Sequence, residues 1–254
     1  MDLKAYLRWR TLNLRKEDGI LVGADITQEW ILPWWWDHYK KHAAYSVAFV
    51  DLGLSFPMKE WCRERGELIS LRVVDDFVKE KEEVDPQVAK ALEEEFGKQF
   101  WDCRKAWFKK PLACLQSPFR RTIWIDVDCE IRGQFQKLFD YAKKAPGIAL
   151  AKDQCDSAEH YPIYNSGVIV FRRDIELIVK WTRRSLELNH AFRGDQEVLS
   201  KMIAEENIAI SEIPLIYNWS RCQKEHTPAI LLHWHGVYGK FVIRSQMNVK
   251  ELSY

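Results

Sequence analysis

The chain has 254 residues, with 38 Lys and Arg against 37 Asp and Glu, for a net charge of +1. Its 47% of hydrophobic residues supplies a large core and excludes intrinsic disorder. The neutral balance excludes a general attraction for nucleic acid or an anionic membrane, and no run of about 18 apolar residues is present to form a transmembrane helix.

Residues 20–25 (ILVGAD) read as a buried strand that opens into a turn. A helix is expected from about Pro33, ending on Lys40, Lys41 and His42, whose charges suit the negative end of the helix dipole. Strands are expected at 45–51 and 67–73, separated by a short helix at 57–65 that Gly66 stops. The charge-rich stretch 75–100 reads as a solvated helical insertion, and 102–116 as a helix. Residues 121–126 form the next expected strand, followed by a helix at 134–144 and strands at 147–151 and 166–171. Helices are expected at about 174–188 and 195–205, and short strands near 208–211 and 229–233. Strands alternating with helices point to a single α/β domain over 1–254 with a mainly parallel, mixed central sheet flanked by helices.

The six cysteines, at 62, 103, 114, 129, 155 and 222, show no CxxC spacing. They read as reduced thiols rather than a disulfide framework or a zinc site. The N-terminal segment, broken by charges every few positions, lacks an apolar signal-peptide centre. A cytoplasmic location is therefore expected, with export as an effector left open. The 12 Trp include Trp34, Trp35 and Trp36, which cannot all point one way on a helix, so at least one is expected in the core and another could border a ligand.

In open α/β sheets ligands sit beyond the carboxyl ends of the strands. Asp25, Asp51, Asp126, Asp128, Asn165, His233 and His235 fall at such ends. Asp126 and Asp128 follow Thr122-Ile123-Trp124-Ile125, and as i and i+2 of a strand they would share a side. Two such carboxylates repel unless a cation lies between them or one is protonated. A hard divalent ion, Mg²⁺ or Mn²⁺, is the usual remedy. His233 and His235 follow an apolar strand at the same spacing, ahead of Gly236, Gly239 and Lys240. Lys240 can act as a point charge on phosphate. Asp195 precedes a helical pattern and suits an N-cap. Arg104, Lys105, Lys109 and Lys110 precede the Asp126 strand, and Lys105 and Lys109 share a helix face that either meets a ligand or is merely solvated.

Taken in chain order, several pieces resemble the GT-A glycosyltransferases, and glycosyltransferase family eight in particular, which includes glycogenin and bacterial lipopolysaccharide galactosyltransferases. They are Gly23-Ala24-Asp25, the Asp126-Val127-Asp128 motif, Asn165-Ser166-Gly167, Gly194-Asp195-Gln196, and His233-Trp234-His235-Gly236 with Lys240. The resemblance spans about residues 20 to 240. It implies transfer of a sugar from a nucleotide-diphosphate donor, such as a UDP-sugar, with Mn²⁺ or Mg²⁺ as cofactor and retention of configuration. The acceptor, whether glycan, lipid or protein, is left open, as is the oligomeric state. By the same resemblance Asp126, Asp128 and His233 hold the metal, with His235 as the rival ligand. Ala24 and Asp25 hold base and ribose, and Gly236 and Lys240 lie near the diphosphate. Asn165, Ser166, Asp195 and Gln196 face the donor sugar and the reacting carbon, and a basic residue such as Lys105 reaches the donor. Asp153 and Asp156 either contact sugar hydroxyls or belong to a polar loop.

Two other classes compete. A haloacid-dehalogenase-type phosphatase also carries Asp-x-Asp after a strand, with Asp126 as nucleophile. Against it, Cys129-Glu130 replaces the expected Thr/Val-Leu and no later paired-acid motif follows. The third class is a non-catalytic nucleotide- or sugar-binding protein.

Overall fold

The apolar run of the first strand is continuous rather than alternating, as a strand covered on both faces requires. In the structure, a computed structural model that describes residues 16–72, 77–98, 100–155 and 161–251, this strand lies near the centre of a seven-stranded sheet. The strands are β1 (Lys16–Ala24), β2 (Ser46–Asp51), β3 (Glu67–Ser70), β4 (Phe119–Ile125), β5 (Cys129–Ile131), β6 (Ile148–Lys152), β7 (Tyr164–Arg172), β8 (Ser211–Glu212), β9 (Trp219–Ser220) and β10 (Leu231–His233). The large sheet runs β3-β2-β1-β4-β7-β6-β8. It is parallel except for β7, which is antiparallel to both β4 and β6. A small sheet, β5-β10-β9, lies beside it.

Helices α1 (Leu32–His42), α2 (Phe56–Arg63), α3 (Pro86–Phe96), α4 (Phe100–Leu115), α5 (Phe139–Lys143), α6 (Glu176–Leu188), α7 (Asp195–Glu205) and α8 (Gly236–Glu251) cover both faces. Side-chain alternation divides the core into two layers. Ile20, Val22, Ile123 and Ile125 pack with α1, α5 and α8. Leu21 and Trp124, from the same strands, pack with Phe108 of α4, Trp181 of α6 and Leu199 of α7. The expected α/β fold with a mainly parallel mixed sheet is thus present.

Several expectations are corrected. The helix expected at 134–144 is α-helical only over Phe139–Lys143, after a 3-10 turn at Gln136–Leu138. The strands near 208–211 and 229–233 shrink to β8 and β10. Within 75–100, residues 75, 76 and 99 lie outside the described residues, and the rest is not simply solvated. Val78, Val84, Ala89 and Leu92 are buried. Arg104 of α4 donates to the carbonyls of Lys79 and Asn189, fixing this segment to the body. Trp34 and Trp35 are buried, while Trp36 packs on Phe49 and Trp61, so all three serve the core.

The stretch after His235 is helix α8 rather than an open glycine loop. Its Gly239 lies so close to Trp234 that a Cβ there would sit 1.9 Å from the Trp234 carbonyl oxygen. The glycine serves the tight turn of the chain from β10 into α8. Finally, Cys155 and Cys222 are joined as a disulfide, while Cys62, Cys103, Cys114 and Cys129 are free. The pair is 67 residues apart, and only the meeting of the segments after β6 and β9 brings it together. Among the described residues, no helix is long and apolar enough to cross a membrane.

Candidate active site

Strand β4 ends at Ile125, so Asp126 and Asp128 do not share a strand face as expected. A turn brings them together instead. The Asp126 amide donates to the Gly167 carbonyl at 2.8 Å, and the Cys129 amide donates to the Asp126 carbonyl at 3.0 Å. Val127 between them is buried in the apolar layer, while Asp128 is buried and Asp126 half-buried. Pairing of β5 with β10 then sets His233 opposite Cys129. The Trp234 amide adds a bond to the Asp128 carbonyl at 3.0 Å. As a result His233 Nε2 lies 3.3 Å from Asp128 Oδ1 and 3.8 Å from Asp126 Oδ2.

The two histidines face different partners. His233 Nδ1 donates to Asn165 Oδ1 at 3.2 Å, and that oxygen also accepts from the Gly167 amide and from Asn218 Nδ2. An oxygen taking three donors fixes the tautomer, so the Nε2 lone pair faces the carboxylates. His235 Nε2 turns away to Ser220 Oγ at 2.7 Å. Burial, with His233 beside it, pushes the His235 pKa down to about 4.

Gly167 makes room for the His233 ring, because a Cβ there would lie 2.3 Å from His233 Cε1 and 2.4 Å from Nδ1. Gly167→Ala is therefore expected to push the ring off the carboxylates and cost about 1–3 kcal/mol of stability, read as a lower urea midpoint. An unchanged midpoint would place the ring elsewhere.

Two lysines countercharge the cluster. Lys240 of α8 pairs with Asp128 Oδ2. Burial alone would raise the Asp128 pKa, but the Lys240 ammonium and His233 hold it well below the usual carboxylate range. Lys110 of α4 is buried, 3.0 Å from Asp126 Oδ1, 3.1 Å from Ser166 Oγ and 3.7 Å from Asp195 Oδ2. Trp124 Nε1 donates to Asp126 Oδ1 at 2.6 Å.

Asp195 is the first residue of α7 rather than its cap, since Gly194 takes the cap position and its amide donates to Glu197 Oε2. It is buried, and its Oδ2 has no hydrogen-bond partner among the described residues. Burial pushes its pKa up to about 6, against Lys110 and helped by Asp126.

A polar network joins β6, β7 and α7. Asp153 Oδ2 accepts from Asn165 Nδ2 at 2.7 Å and from Gln196 Nε2 at 3.1 Å, while Gln196 Oε1 accepts from the Ser166 amide. Asp25 Oδ1 accepts from the amides of Thr27 and Gln28, which shapes the turn after Ala24 at the end of β1. Gly236 opens α8 with a φ of 74°, a backbone conformation that glycine adopts without strain.

Lys105 is not brought into the cluster. It pairs with Glu80, and Lys110 takes the interior position. Asp156 lies outside the described residues. Asn218 is the participant that reading the sequence missed, and Lys110, one of the basic residues grouped ahead of β4, was passed over for Lys105. A signal for Lys110 existed: helical spacing puts it on one face with Ala106, Ala113 and Cys114, an apolar stripe where a lysine must have a buried partner.

No protein-family model and no curated protein matches the sequence. The structure is similar to solved glycosyltransferases. It matches GlyE of Streptococcus pneumoniae TIGR4 with a TM-score of 0.55 at 14% identity, over 87% of this chain and 55% of that one. The chain thus spans little more than half of GlyE. It matches the galactosyltransferase LgtC, solved with donor and acceptor sugar analogs, with a TM-score of 0.57 at 11% identity, over 85% of this chain and 89% of LgtC. Mouse xyloside xylosyltransferase 1 gives a TM-score of 0.51 at 15% identity, over 82% and 87% of the two chains. The chain has the GT-A fold of nucleotide-diphospho-sugar transferases.

Proposed function

We propose that this protein is a metal-dependent glycosyltransferase that moves a sugar from a UDP-sugar donor to an acceptor with retention of configuration. The observation that carries the reading is the convergence of Asp126, Asp128 and His233 at the carboxyl end of β4 in this fold. Two carboxylate oxygens and an imidazole lone pair form a donor set that suits Mn²⁺ or Mg²⁺. His233 Nε2 stands 3.3 Å from Asp128 and 3.8 Å from Asp126, near the roughly 3 Å between neighbouring ligands of an octahedral ion. The donor atoms already within 4.8 Å of one another are those of Asp128, Cys129 and His233, so Asp126 completes the set by turning its carboxylate toward Asp128. When bound, it supplies positive charge to the departing diphosphate, so the leaving group needs no proton.

The remaining roles belong to this chain's own groups. Lys240, in the second turn of α8, moves its charge from Asp128 toward the diphosphate, and the free amides of the first turn orient the same phosphates. Asp25 holds the turn that receives base and ribose. Asp153, Asn165 and Gln196, locked to one another, present hydrogen-bonding groups to the sugar without reorganising as positive charge develops there. Asp195, with Lys110 behind it, sets the negative potential at the reacting carbon. The proposal includes a cytoplasmic setting, in which the Cys155–Cys222 pair would be held reduced. The phosphatase reading is not favoured, because the solved structures that share this fold are glycosyltransferases.

The test is thermal. UDP with Mn²⁺ at about 100 times the Kd is expected to stabilise the fold by about 2.7 kcal/mol, whereas NAD or DNA gives no shift. A shift with NAD and none with UDP–Mn²⁺ overturns the reading. His233→Ala is expected to lose most Mn²⁺-dependent hydrolysis of a UDP-sugar while the fold survives, and His235→Ala to retain most of it. The reverse ranking would move the ligand to the other ring.

A further inference from the structure

A second group of donors gathers at the rim of the carboxylate cluster. Cys155 lies three residues beyond β6 and Cys222 two residues beyond β9, with their Cα atoms 6.4 Å apart. His235 Nε2 is 3.8 Å from each of their sulfurs. Ser220 Oγ lies 2.9 Å from Cys155 Sγ and accepts from the Cys222 amide at 3.1 Å. Both cysteines are exposed and His235 is half-buried, so the group is open to solvent.

We propose that, once the disulfide is reduced, Cys155, Cys222 and His235 bind a soft divalent ion of the zinc class. Reduction breaks the S–S bond: a dithiol supplies two electrons and two protons, becomes a disulfide itself, and leaves two cysteine thiols. Metal binding then releases those two protons to solvent. Around tetrahedral zinc, with bonds of about 2.3 Å to sulfur and about 2.0 Å to nitrogen, sulfurs sit about 3.8 Å apart and nitrogen about 3.6 Å from each. His235 already stands at that separation from both sulfurs. Only the sulfurs must part, and both belong to exposed side chains outside helices and strands that χ1 rotation can move. Water or Ser220 Oγ completes the four positions.

The donor chemistry sets this group apart from the neighbouring one. Asp126 and Asp128 offer hard oxygens suited to Mn²⁺ or Mg²⁺, while two thiolates and an imidazole select zinc. The location gives the ion a mechanical consequence. Asp153, two residues before Cys155, accepts from Asn165 and Gln196, so an ion here ties that segment to the β9–β10 side of the cleft.

Cobalt(II) is the probe, because thiolate coordination gives it an intense charge-transfer absorption that oxygen donors do not. The full chain is reduced with a dithiol, desalted without air and titrated with Co²⁺. One equivalent is expected to bind with the thiolate band, and Zn²⁺ to displace it. Cys155→Ser and Cys222→Ser are expected to abolish the band, His235→Ala to weaken affinity at least about tenfold, and Asp128→Asn to leave the band in place. The proposal is overturned if reduced wild type shows no such band, or if the band survives Cys155→Ser. Alkylation mapped by mass spectrometry gives a readout that needs no variant. Zn²⁺ should shield Cys155 and Cys222 together, and equal labelling with and without Zn²⁺ also overturns the proposal.

Discussion

Asp128→Asn is expected to lower Mn²⁺-dependent turnover of a UDP-sugar by at least about 10²-fold and to remove the extra melting shift that Mn²⁺ adds to UDP. The reason is local. Asp128 Oδ1 lies against His233 Nε2, and its other oxygen takes Lys240. Asparagine keeps the shape and one acceptor for Lys240, so the fold should survive while the anionic ligand is lost. Asp126→Asn should behave similarly, because its Oδ2 completes the same set. Circular dichroism and melting of the free variants separate loss of the site from loss of the fold. A folded Asp128→Asn with turnover within tenfold of wild type would remove the carboxylates from the metal role.

Lys110→Met is expected to act on stability first. Lys110 is the buried cation between Asp126 and Asp195. Removing one partner of a buried ion pair costs roughly 3–5 kcal/mol, since it strands charge in a poor solvent. The groups facing it are Asp126, Asp195 and Cys114, whose thiol burial holds well above the usual thiol range and therefore neutral. The pH dependence follows from Asp195. Its folded pKa, about 6, lies above its unfolded value, so the folded state binds the proton more tightly. Its contribution to stability is therefore full below the unfolded pKa and lost as pH rises through about 6. Without Lys110 the ionised form keeps only the hydrogen bonds from Ser166 and the backbone, so the loss should be larger at pH 8 than at pH 5. Urea unfolding at the two values measures this. Equal losses at both would mean that Asp195 does not respond to Lys110.

Reading along the chain recovered the alternation of strands and helices, because burial on both faces of a parallel sheet writes itself as short apolar runs such as residues 20–24 and 123–125. It also singled out polar residues that the fold brings near one another. Asp126, Asp128, Asn165, Gln196, His233 and Lys240 all fall at strand ends or helix starts, where side chains leave the core. It failed where neighbours in space are distant in sequence. Lys105 was favoured over Lys110 because both lie on one short helical stretch, and only the packing of α4 against β7 and α7 shows which one turns inward. Helix α8 was missed for a local reason: two glycines near its start mask a helical pattern, and Gly239 answers the Trp234 carbonyl five residues back.

The chain order of strands, helices and strand-end polar groups was therefore written in the amino acids alone, since each depends on local periodicity and burial. The tertiary structure decided how those groups meet. The Asp126–Asp128 pair converges through a turn held by Gly167, His233 is aimed by the pairing of β5 with β10, and His235 is turned toward Ser220. It also decided that Cys155 meets Cys222 across 67 residues. Such contacts depend on strand register and on which segments share one end of the sheet, quantities set by packing of the whole chain and carried by no local stretch of it.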